Sequence, residues 1–458
     1  MWLYLTLNKT SMLDIKFIRE NADKVKKAVQ DKNINLDVDQ LLDLDAQRRA
    51  LTTESESLQA TKNQVSKEIP KLSAEDKKIK LLEMKEVDLR ANELKEKLRA
   101  VLVKYEELMY LVPNIPSPET PIGKDDSGNV PWSYWSPALG HVDPKETEKV
   151  KSIPTKFDFE VKDHMTLAKA LDLLDTEAGV KTAGFRGYYL KNEAVLMHYG
   201  ILWHALKKMQ EKGFALMAPP VLGRSFAFYG SGHFPFGRAD QYQVMTEEDL
   251  QKGITEPVYL SGTSEPNLLA YVADKTFEES ELPVKMCGIS SCFRGEIGSY
   301  GKDTKGIYRV HEFMKVEQVI VCKADVIEGD KWLEALREIA QEMLMDLKLP
   351  HRVLNICTGD MGAGKYKMYD IETWMPSRQN YGETHSDSNL TDWQARRLNI
   401  KYKGSDGKTK FAYTLNNTVI ASPRILIAIL ENYQQKDGSI LVPDILKPYI
   451  GKDVILAK

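Results

Sequence analysis

Three charged residues, Arg294, Glu296 and Glu317, lie in two apolar segments that have the pattern of neighbouring β-strands. Because side chains alternate across a strand, Arg294 and Glu296 share one face, as do Phe313, Lys315 and Glu317 on the returning segment. The intervening loop is rich in glycine and in basic residues, namely Gly298, Gly301, Gly306, Lys302, Lys305 and Arg309. This composition predicts a mobile, positive loop beside a nucleotide site, and the alternative is a surface hairpin with ordinary salt bridges.

Two acidic segments could supply the partners of a polar ligand. In TSEP, Thr263 and Glu265 are predicted to share a strand face just before Pro266, and Glu265 could take an ammonium group, with helix capping as the alternative. In YGETHSDSN, Glu383 and Ser386 offer oxygen ligands for Mg²⁺ that bridges phosphates. A plain polar turn competes with that interpretation.

Near the C-terminus, Ser422 and Pro423 are predicted to be the N-cap and first residue of a helix, which would aim Arg424 from a positive helix end toward an anionic phosphate. A purely structural helix start remains open. A second apparent phosphate motif, GDMGAGK at 359–365, is rejected as a P-loop. Tyr366 replaces the magnesium-binding Ser or Thr, and a strand rather than a helix is predicted to follow.

These candidates sit in a chain of 458 residues, which is enough for roughly two or three domains. A net charge of -3 argues against indiscriminate nucleic-acid binding, so any RNA contact must come from local patches. The four cysteines form no CxxC pair, which predicts free thiols in a reducing compartment and no structural zinc. No apolar run approaches the ~18 residues of a membrane span, and we expect a cytoplasmic protein.

Residues 38–110 have the composition of long helices, and Pro70 with the polar stretch from Ser73 predicts a turn between two antiparallel helices. In the second helix an a/d heptad seam runs through Met84, Val87, Ala91, Leu94, Leu98, Val101, Tyr105 and Leu108. Near the turn, lysines outnumber acids: Lys62, Lys67, Lys71, Lys77, Lys78 and Lys80. This basic tip could grip a phosphate backbone, and the alternative is a solvated coiled coil used only for dimerisation.

Beyond this arm, eight of the 20 prolines fall between Pro113 and Pro154, which predicts a linker over residues 113–155. From residue 156 to 458, short strands broken by hairpins predict an α+β domain built on a mostly antiparallel sheet. Residues 1–11 read as an N-terminal extension ahead of a helical region at 12–112, with Met12 as a candidate native start.

Taken in order, CFRGEIGSYGKDTKGIYRVHEF, KVE, the acidic loop and the helix-opening arginine resemble motifs 2 and 3 of class II aminoacyl-tRNA synthetases. MLDIKFIREN, the hairpin arm, YGSGHFP, TSE, YDIETW, QARR and ILENYQ narrow the resemblance to seryl-tRNA synthetases over residues 12 to about 450. The resemblance implies a homodimer with an antiparallel-sheet catalytic domain behind a coiled-coil arm. It also implies ATP-dependent attachment of L-serine to tRNA(Ser) through a seryl-adenylate, and leaves open whether tRNA(Sec) is charged.

The same resemblance implies roles for single residues. Arg294, Glu317 and Arg424 are the implied catalytic residues. The implied ATP contacts are Arg294, Gly295, Glu296, Val310, Phe313, Glu383, Thr384, His385, Ser386 and Arg424, with Mg²⁺ on Glu383 and Ser386. The implied serine contacts are Thr263, Ser264, Glu265, Arg294, Glu317 and Thr418. The implied tRNA contacts are Lys302, Lys305 and Arg309 in the loop, and Lys62, Lys67, Lys71, Lys77 and Lys78 on the arm.

The chain departs from the family pattern at two places. His385 stands where the family usually has serine, and Asn417 and Thr418 replace a glycine and a serine, although threonine preserves the hydroxyl. Three other functions remain as alternatives. A ligase that loads carrier proteins should lack the arm, an inactive scaffold would tolerate loss of the charged residues, and a threonine-specific enzyme would require a zinc-ligand set.

Overall fold

A computed structural model describes residues 13–297 and 306–456 of the chain. The predicted extension at 1–11 and the loop lysines Lys302 and Lys305 lie outside the described residues. The chain divides into two compact units, one ending at Pro113 and the next beginning at Asn114. None of the helices in the described ranges has the length and apolar content that a bilayer crossing requires.

The first unit is helical and contains α1 (Ile15–Glu20), α2 (Ala22–Asp31), α3 (Val38–Glu68) and α4 (Ala74–Leu111). The last two form the predicted hairpin, and a 3-10 turn at Ile69–Lys71 containing Pro70 separates them. Asp37 caps α3 by accepting from the Gln40 amide at 3.0 Å, and Ser73 caps α4 by accepting from Asp76 at 3.2 Å. These two N-caps therefore set where α3 and α4 begin.

The predicted heptad seam packs between α3 and α4. Leu94 is buried and the other seam positions of α4 are at least partly covered. In α3, Leu44, Leu51, Leu58 and Val65 keep a seven-residue period, but the matching positions Arg48 and Lys62 are polar and find partners across the hairpin. Lys62 pairs with Asp88, and the Arg48 guanidinium lies 5.1 Å from the centre of the Tyr105 ring. The weaker apolar period of α3 is thus compensated by specific polar contacts.

The second unit is built on a sheet with nine described strands: β1 (Val130–Ser136), β2 (Gly140–Val142), β5 (Ala215–Met217), β10 (Val284–Phe293), β11 (Glu312–Cys322), β12 (His351–Asn355), β13 (Lys367–Met375), β14 (Asn380–Asn389) and β17 (Tyr413–Ser422). Their order across the sheet is β2-β1-β12-β13-β14-β17-β11-β10-β5. Among these described strands only the edge pair β10 and β5 is parallel, so the predicted mostly antiparallel sheet is confirmed.

Smaller sheets use the short strands β3 (Leu174–Asp175), β4 (Tyr189–Leu190), β6 (Leu222–Gly223), β7 (Gln243–Val244), β8 (Val258–Leu260), β9 (Thr276–Glu278), β15 (Lys401–Lys403), β16 (Thr409–Phe411), β18 (Ile440–Leu441) and β19 (Val454–Ile455). The helices of this unit are α5 (Thr147–Val150), α6 (His164–Ala170), α7 (Thr176–Ala183), α8 (Glu193–Glu211), α9 (Ser225–Ser231), α10 (Glu247–Gln251), α11 (Glu265–Tyr271), α12 (Val326–Asp346), α13 (Trp393–Leu398), α14 (Arg424–Asn432) and α15 (Lys447–Ile450).

The two faces of β11 contact different parts of the molecule. Val316 and Ile320 point into the main apolar core, which also includes residues of α8 and α12. On the other face Val319 and Val321 join a second apolar cluster beneath α11 and α13. Nearer the start of β11, the same face has polar residues that line an open cleft. Period-two alternation therefore separates core from site along one strand.

Three local predictions are wrong in detail. Thr263 and Glu265 do not share a strand face, because β8 ends at Leu260 and Glu265 opens α11. Arg294 and Glu296 lie beyond the end of β10, since Glu296 has a left-handed φ of 52° that ends the extended pattern. Ser422 does not cap α14, because it remains the last residue of β17 and Pro423 takes the N-cap position.

Candidate active site

The hairpin of β10 and β11 forms one wall of a cleft on the open face of the sheet. The two strands pair antiparallel from Val284 opposite Val321 to Phe293 opposite Glu312. This register places Phe313, Lys315 and Glu317 on one face, as predicted, and all three line the cleft. The rest of the lining comes from segments far apart in the chain: His233, Thr263, Glu265, Arg294, Glu296, Tyr308, Val310, Lys365, Glu383, Thr384, His385, Ser386, Asn416, Thr418, Ala421, Ser422, Pro423 and Arg424.

Arg294 enters the cleft directly after β10. Its amide donates to the His311 carbonyl at 3.0 Å, and its Nε donates to the Gly262 carbonyl at 3.2 Å. The guanidinium lies 5.3 Å from the centre of the Phe313 ring. A cation with one donor fixed by the backbone and an aromatic ring beside it is preorganised to bind an anion.

Glu296 is held between two arginines. Its Oε2 lies 3.3 Å from Arg309 Nη1 and 3.6 Å from Arg186 Nη1. The Arg186 side chain is only 4% exposed, and this residue was not among the sequence candidates. Arg186 comes from the loop between α7 and β4, so nothing in the local pattern links it to a strand end more than a hundred residues later.

Arg424 ties the start of α14 to β14. Its Nη1 donates to the Glu383 carbonyl at 2.9 Å and to Glu383 Oε2 at 3.3 Å. Its Nε donates to the Tyr308 carbonyl at 3.2 Å. The guanidinium also lies 4.4 Å from the centre of the Tyr308 ring. Arg424 therefore reaches the cleft as predicted, although Ser422 bonds through its hydroxyl to His198 Nδ1 at 2.8 Å instead of capping the helix.

Glu317 lies at the buried end of the cleft with three donors around its carboxylate. Asn416 Nδ2 donates to Oε1 at 3.1 Å, and Thr418 Oγ1 donates to Oε2 at 3.3 Å. Lys315 Nζ lies 2.6 Å from Oε2. The Glu317 and Lys315 side chains are almost fully buried, so the pair is sustained by these extra hydrogen bonds.

Glu265 is the second buried acid of this end. Its Oε1 accepts from Gln394 Nε2 at 2.6 Å, and Gln394 Oε1 in turn accepts from Thr414 Oγ1 at 2.7 Å. Burial alone would raise the pKa of Glu265, but the charge of Lys365 and the hydrogen bond from Gln394 act in the opposite direction, and the pKa is lowered. Glu265 is therefore an ionised acceptor on the wall of the cleft.

Two histidines in the cleft are neutral. Burial lowers the pKa of His233 to about 4 and that of His385 to about 3. His385 Nε2 lies 3.1 Å from the Val419 carbonyl, so this nitrogen must carry the proton, and Nδ1 accepts from Thr384 Oγ1 at 2.9 Å. Both nitrogens of His385 are thus occupied by protein contacts.

The two expected Mg²⁺ ligands, Glu383 and Ser386, both lie on β14, which pairs with β13. Glu383 keeps a partly exposed carboxylate at the edge of the cleft, and Ser386 lies opposite Asp370 across the two strands. Burial, and then the charge of Glu383, raise the pKa of Asp370 well above its ordinary range. A carboxylate and a hydroxyl fit a hard cation, although no group of three or more His, Cys, Asp or Glu side chains in the described ranges is arranged to hold one.

The structure does not bring every sequence candidate into the cleft. Ser264 lies outside the lining and donates to the Gly288 carbonyl at 3.4 Å, and Gly295 binds the Asp240 carbonyl through its amide at 2.8 Å. Conversely, sequence analysis did not assign His233, Lys365, Asn416 or Gln394. All but Asn416 belong to segments quoted for other reasons, so only their spatial convergence identifies them.

On the arm, Lys67, Lys77 and Lys78 are exposed, whereas Lys62 is engaged with Asp88. The side chain of Lys71 lies outside the described residues. The arm therefore carries at least three solvent-facing cations near its turn.

The sequence matches two family models. Residues 12–116 match the seryl-tRNA synthetase N-terminal domain, and residues 246–433 match the class II tRNA synthetase core domain for G, H, P, S and T. A serine–tRNA ligase of Deinococcus radiodurans is 41% identical over 447 residues, covering 98% of this chain and 99% of the relative.

The chain belongs to the seryl-tRNA synthetase family. It is therefore an enzyme of the class II aminoacyl-tRNA synthetases, as the sequence motifs predicted. A serine–tRNA ligase of Treponema denticola is 39% identical and covers 97% of this chain and 100% of the relative.

Solved structures of the seryl-tRNA synthetase family share the fold. The seryl-tRNA synthetase of Pyrococcus horikoshii complexed with ATP superposes with a TM-score of 0.84 at 36% identity, covering 98% of this chain and all of that one. The cytoplasmic serine–tRNA ligase of Naegleria fowleri in complex with AMP gives 0.80 at 28% identity, with the same coverage. The α+β fold class is thereby confirmed.

Proposed function

We propose that the chain attaches L-serine to tRNA(Ser) in two steps, through a seryl-adenylate made from ATP. One observation carries the proposal: the cationic groups Arg294 and Arg424 and the buried acids Glu265 and Glu317 line a single cleft. The first step brings the serine carboxylate to the α-phosphate, so two anions must approach each other. Preorganised cations at that meeting point supply the electrostatic stabilisation that this approach needs.

In the ATP half, Arg294 would bridge the α-phosphate and the serine carboxylate, and Arg424 would bind the terminal phosphate. Glu296, held by two arginines, would accept hydrogen bonds from the adenine amino group. Phe313 would stack on the base, beside a backbone contact from Val310. The Pyrococcus structure, which was solved with ATP, supports this use of the nucleotide.

Glu383 and Ser386 are the residues that would hold Mg²⁺, next to ATP contacts from Thr384 and from atoms of His385 other than its two occupied ring nitrogens. The cation would neutralise charge on the phosphates when it is bound. What the chain itself contributes is orientation. Arg424 fixes the Glu383 backbone and carboxylate, and β14 is held to its neighbour through a 2.8 Å contact between Thr384 Oγ1 and Thr373 Oγ1.

In the serine half, Glu265 would take the ammonium group, while Thr263, Thr418 and Glu317 would surround the hydroxyl end. Buried polar groups that bind the serine hydroxyl would discriminate strongly against alanine. Alanine lacks the hydroxyl and would leave those groups without hydrogen-bond partners. Threonine would be excluded by size. Ser264 acts through the backbone of this segment, since its hydroxyl faces Gly288.

For tRNA, we assign the arm, residues 12–112, to binding of the long variable region through Lys67, Lys77 and Lys78. Lys62 and Lys71 belong to the same basic tip, and Arg309, Lys302 and Lys305 belong to the loop that would meet the acceptor end. In this proposal residues 156–458 form the catalytic domain, and the segment 113–155, expected to be a linker, adds its strands β1 and β2 to the same sheet. Exposed cations near a helix turn suit a phosphate backbone, whose contacts are largely electrostatic.

The active form would be a cytoplasmic homodimer. Leu196, Tyr199 and Trp203 recur at helical spacing on α8 and are 45%, 58% and 62% exposed, so the isolated chain leaves an apolar stripe uncovered. A second copy of the chain is the occupant we propose. Trp203→Glu should shift the protein to monomer in sedimentation, whereas Ile327→Glu, at an apolar position on α12 that is even more exposed to solvent, should not.

The test of the reaction is ATP/pyrophosphate exchange with a panel of amino acids. Serine should stimulate exchange, and threonine and alanine should not. No exchange with any amino acid, or exchange with threonine or alanine alone, would overturn the assignment. Charging of tRNA(Ser) and tRNA(Sec) transcripts in parallel would then decide whether the second is also a substrate.

A further inference from the structure

Lys365 ends the GDMGAGK segment that was rejected as a P-loop, yet its side chain lines the cleft. The segment is fixed by its surroundings. Asn114 Nδ2 donates to the Gly364 carbonyl at 3.1 Å, and the Tyr366 amide donates to the Asn389 carbonyl at 2.8 Å. A Cβ on Gly364 would lie 2.5 Å from the Trp393 ring, so only glycine allows this close approach.

Lys365 contacts the acid network instead of the phosphate end. Its Nζ donates to Asn416 Oδ1 at 3.4 Å, and Asn416 Nδ2 donates to Glu317 Oε1 at 3.1 Å. An ammonium can only donate and a carboxylate can only accept, so these two neighbours determine which way the Asn416 amide points. Lys365 is also the strongest of the charges that lower the pKa of Glu265 against the effect of burial.

We propose that Lys365 is a positioning residue for the amino-acid substrate, which orients Asn416 toward Glu317 and keeps Glu265 ready to receive the serine ammonium. This inference rests on the proposed function, because it assigns Lys365 to the serine half of the same site. A P-loop lysine would bind the phosphates of the nucleotide, whereas Lys365 is assigned here to the amino-acid substrate. Lys365 acts through its neighbours and performs no proton transfer.

The experiment measures the Michaelis constants for serine and ATP in pyrophosphate exchange with the full chain. Lys365→Met keeps most of the side-chain length but removes the donor and the charge. We expect the KM for serine to rise about 10-fold, since a charge-assisted contact is lost, while the KM for ATP stays within about 2-fold. Lys365→Arg, which restores a cation that can only donate, should recover most of the serine affinity.

A pH profile separates this role from a merely structural one. Without Lys365, the pKa of Glu265 should rise, so the acidic limb of kcat/KM for serine should move to higher pH in Lys365→Met. Lys348→Met is the matched control, because Lys348 forms an exposed ion pair with Asp444 at 2.7 Å outside the cleft. It should change neither constant nor the limb.

Each outcome has one consequence. If the wild type exchanges with serine and Lys365→Met leaves the serine KM unchanged, or raises both constants equally, the inference fails and the proposed function stands. If the wild type shows no serine-dependent exchange, the proposed function fails, and the inference fails with it. A serine-specific rise with a shifted acidic limb and rescue by arginine supports the inference.

Discussion

The arm and the cleft use charged residues in opposite ways. On the arm, Lys67, Lys77 and Lys78 face solvent, where each contributes a little to a shared positive potential. In the cleft, Glu265 and Glu317 are buried and every charge has specific hydrogen-bond partners from distant segments. Charges on the arm should therefore act additively and weakly, whereas Arg294 and Glu265 in the cleft should each be close to indispensable.

The largest effect should come from Arg294→Ala. Removing a preorganised cation at the meeting point of two anions should lower the rate of serine-dependent pyrophosphate exchange by about 10³-fold or more. Arg352→Ala is the control, since Arg352 pairs with Glu372 at 2.6 Å outside the cleft and should retain exchange. Near-normal exchange in Arg294→Ala would contradict the expectation that single charges in the cleft matter more than single charges on the arm.

Glu265→Gln should come next. The amide keeps the size of the side chain but offers no charge to the serine ammonium, so the KM for serine should rise about 100-fold with little change for ATP. Glu342→Gln, which alters an exposed partner of Lys208 and Lys212, should leave both constants unchanged. An equal effect of the two variants would show that burial does not decide the strength of these charges.

Deletion of residues 38–110 should separate the two regions. Exchange should stay within about 3-fold of the full chain, because the residues proposed for adenylation all lie beyond Asn114. Charging of tRNA(Ser) should fall about 100-fold, since phosphate contacts contribute much of the affinity for nucleic acid. Normal charging by the deleted chain would refute the role of the arm.

The smallest effect should follow from replacing Lys67, Lys77 and Lys78 together with alanine. We expect kcat/KM for tRNA(Ser) to fall about 10-fold at low salt and less at high salt, with exchange unchanged. The matched control replaces Lys95, Lys97 and Lys104, which are equally exposed on α4 but far from the turn. If both triple variants lose charging equally, the tip is not the binding surface.

Sequence patterns predicted the arm well because its signals are local. The helical period, Pro70 and the polar stretch from Ser73 lie within a few residues of the helices and the turn that they determine. In the catalytic unit, period-two alternation likewise predicted the shared face of Phe313, Lys315 and Glu317. The predicted cap at Ser422 failed because a histidine from α8, more than two hundred residues earlier, takes its hydroxyl.

By itself, the sequence determined the antiparallel hairpin, the mostly antiparallel sheet and the family, because periodicity and ordered motifs are properties of the chain in one dimension. Only the tertiary structure decided that Arg186 holds Glu296, that Gln394 holds Glu265, and that Lys365 faces the acids instead of a phosphate. The physical reason is that these contacts depend on strand register and on close backbone approach between distant segments. No local pattern encodes either of them.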